Sequence, residues 1–281
     1  MKGYVEANGI TLHYLEYGTG PVLVLAHGLT ANAHSFGALI EAGLADHFRV
    51  IVPDLRGRGL STHPSSGYSL EDHAMDMLGL LDALGLHQVT FGGHSYGGYL
   101  AYLMAAEYPE RIERCVAIDA PSRPDPGILD QLKPALDRLS VVLPSVEDYL
   151  ATMQAMPWFQ ESWNEHIESF YVHDLQELPD GTVTPRSNSD HIMEAAMDTL
   201  VVDLPAIVAA IARPTLLIRA VQPLLAGYPL IFPDEVAREA MGSLADATMV
   251  DVAADHYQVV LGSGAGDTAQ AIADFASGVQ R

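Results

Sequence analysis

Two alternating runs open the chain, Tyr4 to Ala7 and Ile10 to Tyr17, and they flank Asn8-Gly9. Both residues of that pair tolerate positive φ, so the pattern predicts a tight β-hairpin. Two continuous apolar runs follow, Pro21 to Ala26 and Arg49 to Pro53. Apolar residues on both faces are what a strand covered from both sides requires. At Ser69 the period changes from two to 3.6. Leu70, Ala74, Met77, Leu78, Leu81 and Leu84 share one helical stripe, with Ser69 as N-cap, Asp72 three residues on, and Gly85 as the stop. A strand over Gln88 to Phe91, a helix to Tyr108 and a strand over Arg114 to Ile118 continue the alternation. From Pro121 to about Pro205 prolines, aromatics and acids dominate and no strand pattern is clear. Strands resume at Pro214 to Ala220 and Thr248 to Val252, separated by a helix starting near Pro233, and a helix over Asp267 to Ser277 follows. Alternating strands and helices predict an α/β fold: a mainly parallel sheet of eight strands with helices on both faces. The interruption predicts an inserted helical cap over 121–205, between core segments 1–120 and 206–281.

Candidate chemistry concentrates at strand ends. Gly93-His94-Ser95-Tyr96-Gly97 has the form G-x-S-x-G, with an apolar strand before it and an apolar helix after it. In that context the glycines allow a crowded strand-to-helix turn that lifts Ser95 above the sheet as a nucleophile. A serine needs a base, and His256 follows a late strand, at the same carboxyl edge of the sheet. Oxyanion donors are also needed. His27-Gly28-Leu29 follows the strand Pro21 to Ala26 directly, so the backbone N–H groups of Leu29 and Tyr96 are the expected pair. His27 itself is expected to serve the turn rather than act as a base.

Taken together, His27-Gly28, the segment Pro53-Asp54-Leu55-Arg56-Gly57-Arg58-Gly59-Leu60-Ser61, the turn at Ser95 and His256 resemble the α/β-hydrolase superfamily. The likeness is to its capped serine-hydrolase branch of esterases, haloperoxidase-like enzymes and lactonases. The resemblance implies Ser95 as nucleophile, His256 as base and no cofactor. Epoxide hydrolases and dehalogenases of the same branch carry Asp at the turn, so Ser95 points away from both. In most relatives the triad acid follows the strand read here as Pro214 to Ala220, where this chain has Val221-Gln222-Pro223. Some relatives place the acid one strand earlier, and there stands Asp119. Asp234, Glu235 or no acid at all remain the alternatives, while Asp255 adjoins His256 too closely to meet its ring in line. The implied reaction is hydrolysis of carboxylic esters of small or medium groups. A lyase or C–C hydrolase using the same pair, and a binding protein that kept the fold, are the alternatives.

Composition narrows the partners. The chain has 281 residues, and 14 basic against 36 acidic side chains give a net charge of −22. Such a chain repels phosphate backbones and anionic lipid, so neither nucleic acid nor membrane is an expected partner. The segment 121–205 holds 15 acidic and 4 basic residues and so contributes −11 of that charge. The expected ligand is a small apolar ester, with Trp158, Phe159 and Trp163 of the cap lining its pocket. One cysteine, Cys115, excludes an internal disulfide and any multi-cysteine metal site. His166 and His191 stand isolated and suggest no metal. No apolar leader is visible at the start of the chain, so a cytoplasmic protein is expected, with a homodimer left open.

Overall fold

The computed structural model describes residues 1–125, 127–159 and 162–278. The strands are β1 (Lys2–Ala7), β2 (Ile10–Tyr17), β3 (Val22–Ala26), β4 (Arg49–Pro53), β5 (Val89–His94), β6 (Ile112–Ile118), β7 (Leu175–Glu177), β8 (Val183–Pro185), β9 (Thr215–Ala220) and β10 (Ala247–Val252). Eight of them form one sheet in the order β1-β2-β4-β3-β5-β6-β9-β10. Only the β1/β2 and β2/β4 pairings are antiparallel; from β4 to β10 the sheet is parallel. The first hairpin turns at Asn8 (φ 48°) and Gly9 (φ 78°), the mirror-image turn that matches strand twist.

The central strands are apolar on both faces because both faces are covered. Leu23, Val24, Leu25 and Ala26 of β3 are fully buried, as are Val116, Ala117 and Ile118 of β6. Cys115 sits among them, and burial pushes its thiol up to about 12, so it behaves as a small core residue. On one face lie the helices Leu70–Ala83 and Tyr96–Glu107. The helix Ala265–Ser277 covers the other. The Leu70–Ala83 helix begins with a full capping box: Asp72 N–H donates to Ser69 Oγ at 3.1 Å and Ser69 N–H to Asp72 Oδ2 at 3.0 Å. An aspartate therefore does the work usually given to glutamate there.

Between β6 and β9 the chain leaves the sheet. It forms the helices Ile128–Asp137, Val146–Gln154, Glu165–His173, Ser189–Val201 and Leu204–Ala210, together with the two-stranded β7/β8 ribbon. That ribbon departs from the strandless reading of 121–205. Its strands are three residues each, too short for a periodicity to show, but Asp180-Gly181 between them is a hairpin signal, and Gly181 has φ 86°. No helix among the described residues is long and apolar enough to cross a membrane.

Candidate active site

Ser95 joins β5 to the helix Tyr96–Glu107 with φ 55° and ψ −118°. This conformation is costly for a residue with a Cβ, and it persists because its surroundings impose it. A Cβ on Gly93 would lie 2.1 Å from the Gly97 carbonyl oxygen, one on Gly97 2.0 Å from that of Ala26, and one on Gly98 2.3 Å from Ala120 Cβ. Only glycines let β3, β5 and the helix approach this closely. Ser95 N–H donates to the Ile118 carbonyl at 2.9 Å, which ties the turn to β6.

Among the described residues, three non-glycines have positive φ: Asn8 in the first hairpin, Ser95, and Asp119 (φ 46°). Asp119 follows β6 directly and is 1% exposed. Its Oδ2 accepts from His256 Nδ1 at 2.7 Å, and its Oδ1 accepts the Ala220 N–H at 3.1 Å. The end of β9, where relatives carry the acid, thus donates a hydrogen bond to an acid on β6. Its own backbone is held as well, with Asp119 N–H on the Ile218 carbonyl at 2.7 Å. Asp234 turns away into an ion pair with Arg219, and Glu235 is exposed. Asp255 accepts the N–H groups of Tyr257 (2.8 Å) and Gln258 (2.9 Å), so it caps the short helix Gln258–Leu261 rather than serving the ring beside it.

With Nδ1 donating to Asp119, His256 Nε2 carries the lone pair. His256 and Ser95 border the same two cavities. The first, about 500 Å³ with the solvent-open space at its mouth included, is walled by Leu29, Thr30, Phe170, Tyr257, Val260 and Leu261. The second, about 490 Å³ on the same footing, is walled by Tyr99, Pro124, Ala196, Thr199, Leu200 and Ile231. No Lys or Arg among the described residues borders either one.

The turn after β3 presents the Leu29 N–H. His27 is fully buried; its Nε2 accepts the Leu55 N–H at 3.0 Å, so Nδ1 carries the proton and donates to the Gly28 carbonyl at 2.8 Å. Burial holds this imidazole down to about 4, neutral as the two bonds require. The Gly28 carbonyl also accepts the Ala31 N–H at 3.1 Å. In a trans peptide C=O and N–H point opposite ways. Fixing the Gly28 oxygen on the protein side therefore aims the Leu29 N–H away from it, and among the described residues that N–H has no protein acceptor. Tyr96 opens its helix, so its N–H has no acceptor within the helix either. Arg58 completes the support. It is fully buried, and its Nε donates to the Leu29 carbonyl at 3.1 Å.

Two features were not visible in the sequence. His94 donates Nε2–H to the carbonyl of His256 at 2.8 Å, with the two rings 4.5 Å apart, so the residue before the serine anchors the loop that carries the histidine. Nothing about a histidine at the free position of G-x-S-x-G signals this. The second feature corrects the expected pocket wall: Trp158, Phe159 and Trp163 border neither cavity. They pack on one another, on Tyr171 and on Tyr257 with ring centroids 5.3–6.2 Å apart, three of the six pairs edge to face and two stacked. Tyr257 is the ring of this cluster that reaches a cavity, and Phe170 joins it at 4.6 Å from Tyr171.

The two isolated histidines also find partners. His191 stacks on Tyr68 at 4.4 Å. His166 Nε2 lies 2.6 Å from Glu41 Oε2, and with Glu165 these make the one trio among the described residues that could gather round a cation; it does not border Ser95.

Comparison with known proteins agrees with this architecture. A family model for the alpha/beta hydrolase fold matches residues 21–156. The chain is 36% identical over 150 residues to 2-(acetamidomethylene)succinate hydrolase of Mesorhizobium japonicum, a match covering 52% of this chain and 54% of that protein. It is 39% identical over 125 residues to bifunctional epoxide hydrolase 2 of Sus scrofa, covering 43% of this chain and 22% of the other. These matches thus span about half, or less, of the length of the curated relatives. Among solved structures, E-2-(acetamidomethylene)succinate hydrolase superposes with a TM-score of 0.85 at 26% identity, over 99% of both chains. The chain has the α/β-hydrolase fold.

Proposed function

We propose that this α/β-hydrolase-fold chain is a serine hydrolase that cleaves uncharged carboxylic esters through an acyl-enzyme on Ser95. The observation that carries the reading is that Ser95 and His256 line the same two cavities, with Asp119 on Nδ1 of the imidazole. His256 Nε2 takes the serine proton as Oγ attacks the ester carbonyl. Asp119 holds the tautomer and stabilises the imidazolium that forms. The N–H groups of Leu29 and Tyr96 receive the oxyanion. His256 then protonates the leaving alcohol and activates the water that releases the acid.

Two cavities that share one serine suit the two halves of an ester. Their walls choose which ester. A relative whose name specifies a succinate must accommodate negative charge. Among the described residues no Lys or Arg borders either cavity, and the chain carries −22 overall, so a carboxylate in the substrate would enter uncompensated. Uncharged, apolar acyl and alcohol groups fit instead. The C–C hydrolase or lyase alternative asks for a polar cap side chain aimed at the substrate. Thr199 is the polar cap residue bordering the second cavity, and its hydroxyl already donates to the Ala196 carbonyl at 2.7 Å.

The test is a p-nitrophenyl ester series with and without a serine-directed phosphonate, followed by mass spectrometry of the labelled protein. The expected result is turnover of neutral esters, abolished by one phosphonate adduct on Ser95. Turnover that survives stoichiometric labelling would overturn it.

A further inference from the structure

The Leu29 turn is held from two sides. Arg58 of the body grips the Leu29 carbonyl. One residue on, the Thr30 carbonyl accepts from Arg138 Nη2 at 2.7 Å, and Arg138 belongs to the cap. Arg138 is 3% exposed. Its Nη1 donates to Tyr149 Oη at 2.9 Å and pairs with Asp174 Oδ2, and Asp174 is itself fully buried. The guanidinium lies over the rings of Phe170 and Tyr171, 5.7 and 5.3 Å from their centroids. Its neighbours Leu136 and Leu139 pack with Ile192 against the Leu29 side chain. Three successive carbonyls, those of residues 28, 29 and 30, are thus each bound to a partner, the last of them from the cap.

We propose that Arg138 is a positioning residue for the oxyanion site: the cap, through this side chain, completes the turn that aims the Leu29 N–H. The proposal rests on the ester-hydrolase reading and adds a role for the cap beyond walling the pocket. The reason for an arginine is geometric. A planar guanidinium can serve Asp174, Tyr149 and the Thr30 carbonyl in three directions at once, whereas a lysine ammonium on a flexible stem cannot hold that fork. Releasing the Thr30 carbonyl frees the turn on its cap side. A donor that must be in place when charge develops then has to be fixed during the reaction, and catalytic rate is lost rather than binding.

Two variants keep the test open. Arg138→Lys retains a charge against Asp174. Arg138→Met with Asp174→Asn removes both charges, so no buried carboxylate is left unpaired. Each is compared with wild type by thermal unfolding, by active-site titration from the p-nitrophenol burst, and by kcat and KM per titrated site. The expected result is a kcat per titrated site lowered about 10- to 100-fold, below the loss for deleting a whole oxyanion donor, with KM changed less than threefold and phosphonate labelling slowed in parallel with kcat. If the variants lose titratable sites or melting temperature but keep wild-type kcat per remaining site, Arg138 only stabilises the cap and the proposal falls. A wild type without Ser95-dependent ester turnover would overturn the ester reading and this role with it; normal wild-type turnover with unchanged variants overturns the Arg138 role alone.

Discussion

The carboxyl edge of the sheet and the cap face each other across the same two cavities, but they are built by different means. At the sheet edge backbone conformation sets the geometry: a serine at φ 55°, an aspartate at φ 46° and glycines that no side chain could replace. In the cap, groups are fixed by side chains packing on side chains, with aromatic rings meeting at 5–6 Å and one arginine among two rings, a carboxylate and a phenol. Backbone-built geometry places atoms; side-chain-built geometry shapes space. The edge should therefore govern rate, and the cap, apart from Arg138 beneath the Leu29 turn, selectivity and stability.

The largest effect expected from this contrast is at Ser95. Ser95→Ala should lower ester turnover about 10⁶-fold with an unchanged melting temperature. A variant retaining a tenth of the activity would break the comparison at its first term. Next comes Asp119. Asp119→Asn should cost about 10⁴-fold, because the amide can hold the ring in the wrong tautomer and cannot stabilise an imidazolium. Asp234→Asn, on a surface pair with Arg219, should stay within twofold. Equal losses in the two variants would mean that the acid had been misplaced.

On the cap side the expected losses change kind. Phe159 is fully buried in its ring cluster, so Phe159→Ala should cost about 3–5 kcal/mol of stability and leave the preferred acyl length unaltered. Ala196→Leu, on a cavity wall, should do the reverse and shorten the acceptable chain. Urea titrations and a p-nitrophenyl ester ladder on both variants check the pair. If Phe159→Ala shifts the ladder, the rings reach the substrate through Tyr257 and the division between space and packing is too sharp.

A last effect is a pH dependence of folding carried by buried imidazoles. Burial holds His27 down to about 4, and His73 and His94 well below the usual histidine range. Their folded forms resist the proton that the unfolded chain accepts near 6.5, so stability is full above that pH and falls as pH drops towards 4. Each imidazole contributes up to about 1.4 kcal/mol per pH unit within that window. Urea midpoints at pH 7.5 and 5.5 should differ accordingly; a flat profile would show that these rings titrate in the fold.

The same contrast explains what could be read from the sequence. His27-Gly28, the glycines round Ser95 and the strand ends carry local signals, because the backbone there tolerates few residue types. Asp119 and His256 are 137 residues apart, and they became readable as neighbours only through the order of parallel strands. The cavity walls were not readable. Whether Trp163 or Leu200 meets a substrate depends on how five helices settle on the body, and no local rule sets that. The β7/β8 ribbon was a different failure, since Asp180-Gly181 announced it and its strands were too short to be weighed.

The pairing of β6 with β9 has a consequence in time. Cys115 registers against Thr215, with the whole cap between them. A growing chain has made Ser95 and Asp119 long before His256 exists. At ribosomal speeds of about 5–20 residues per second, the 137 residues from acid to base take roughly 7–27 s to make. For most of that interval, until β9 is made, the edge of β6 awaits its partner strand, and on the proposed reading the nascent chain holds a nucleophile without its base. On that reading the serine acquires its base only when β9 and β10 dock, so assembly itself keeps it silent until the fold is closed.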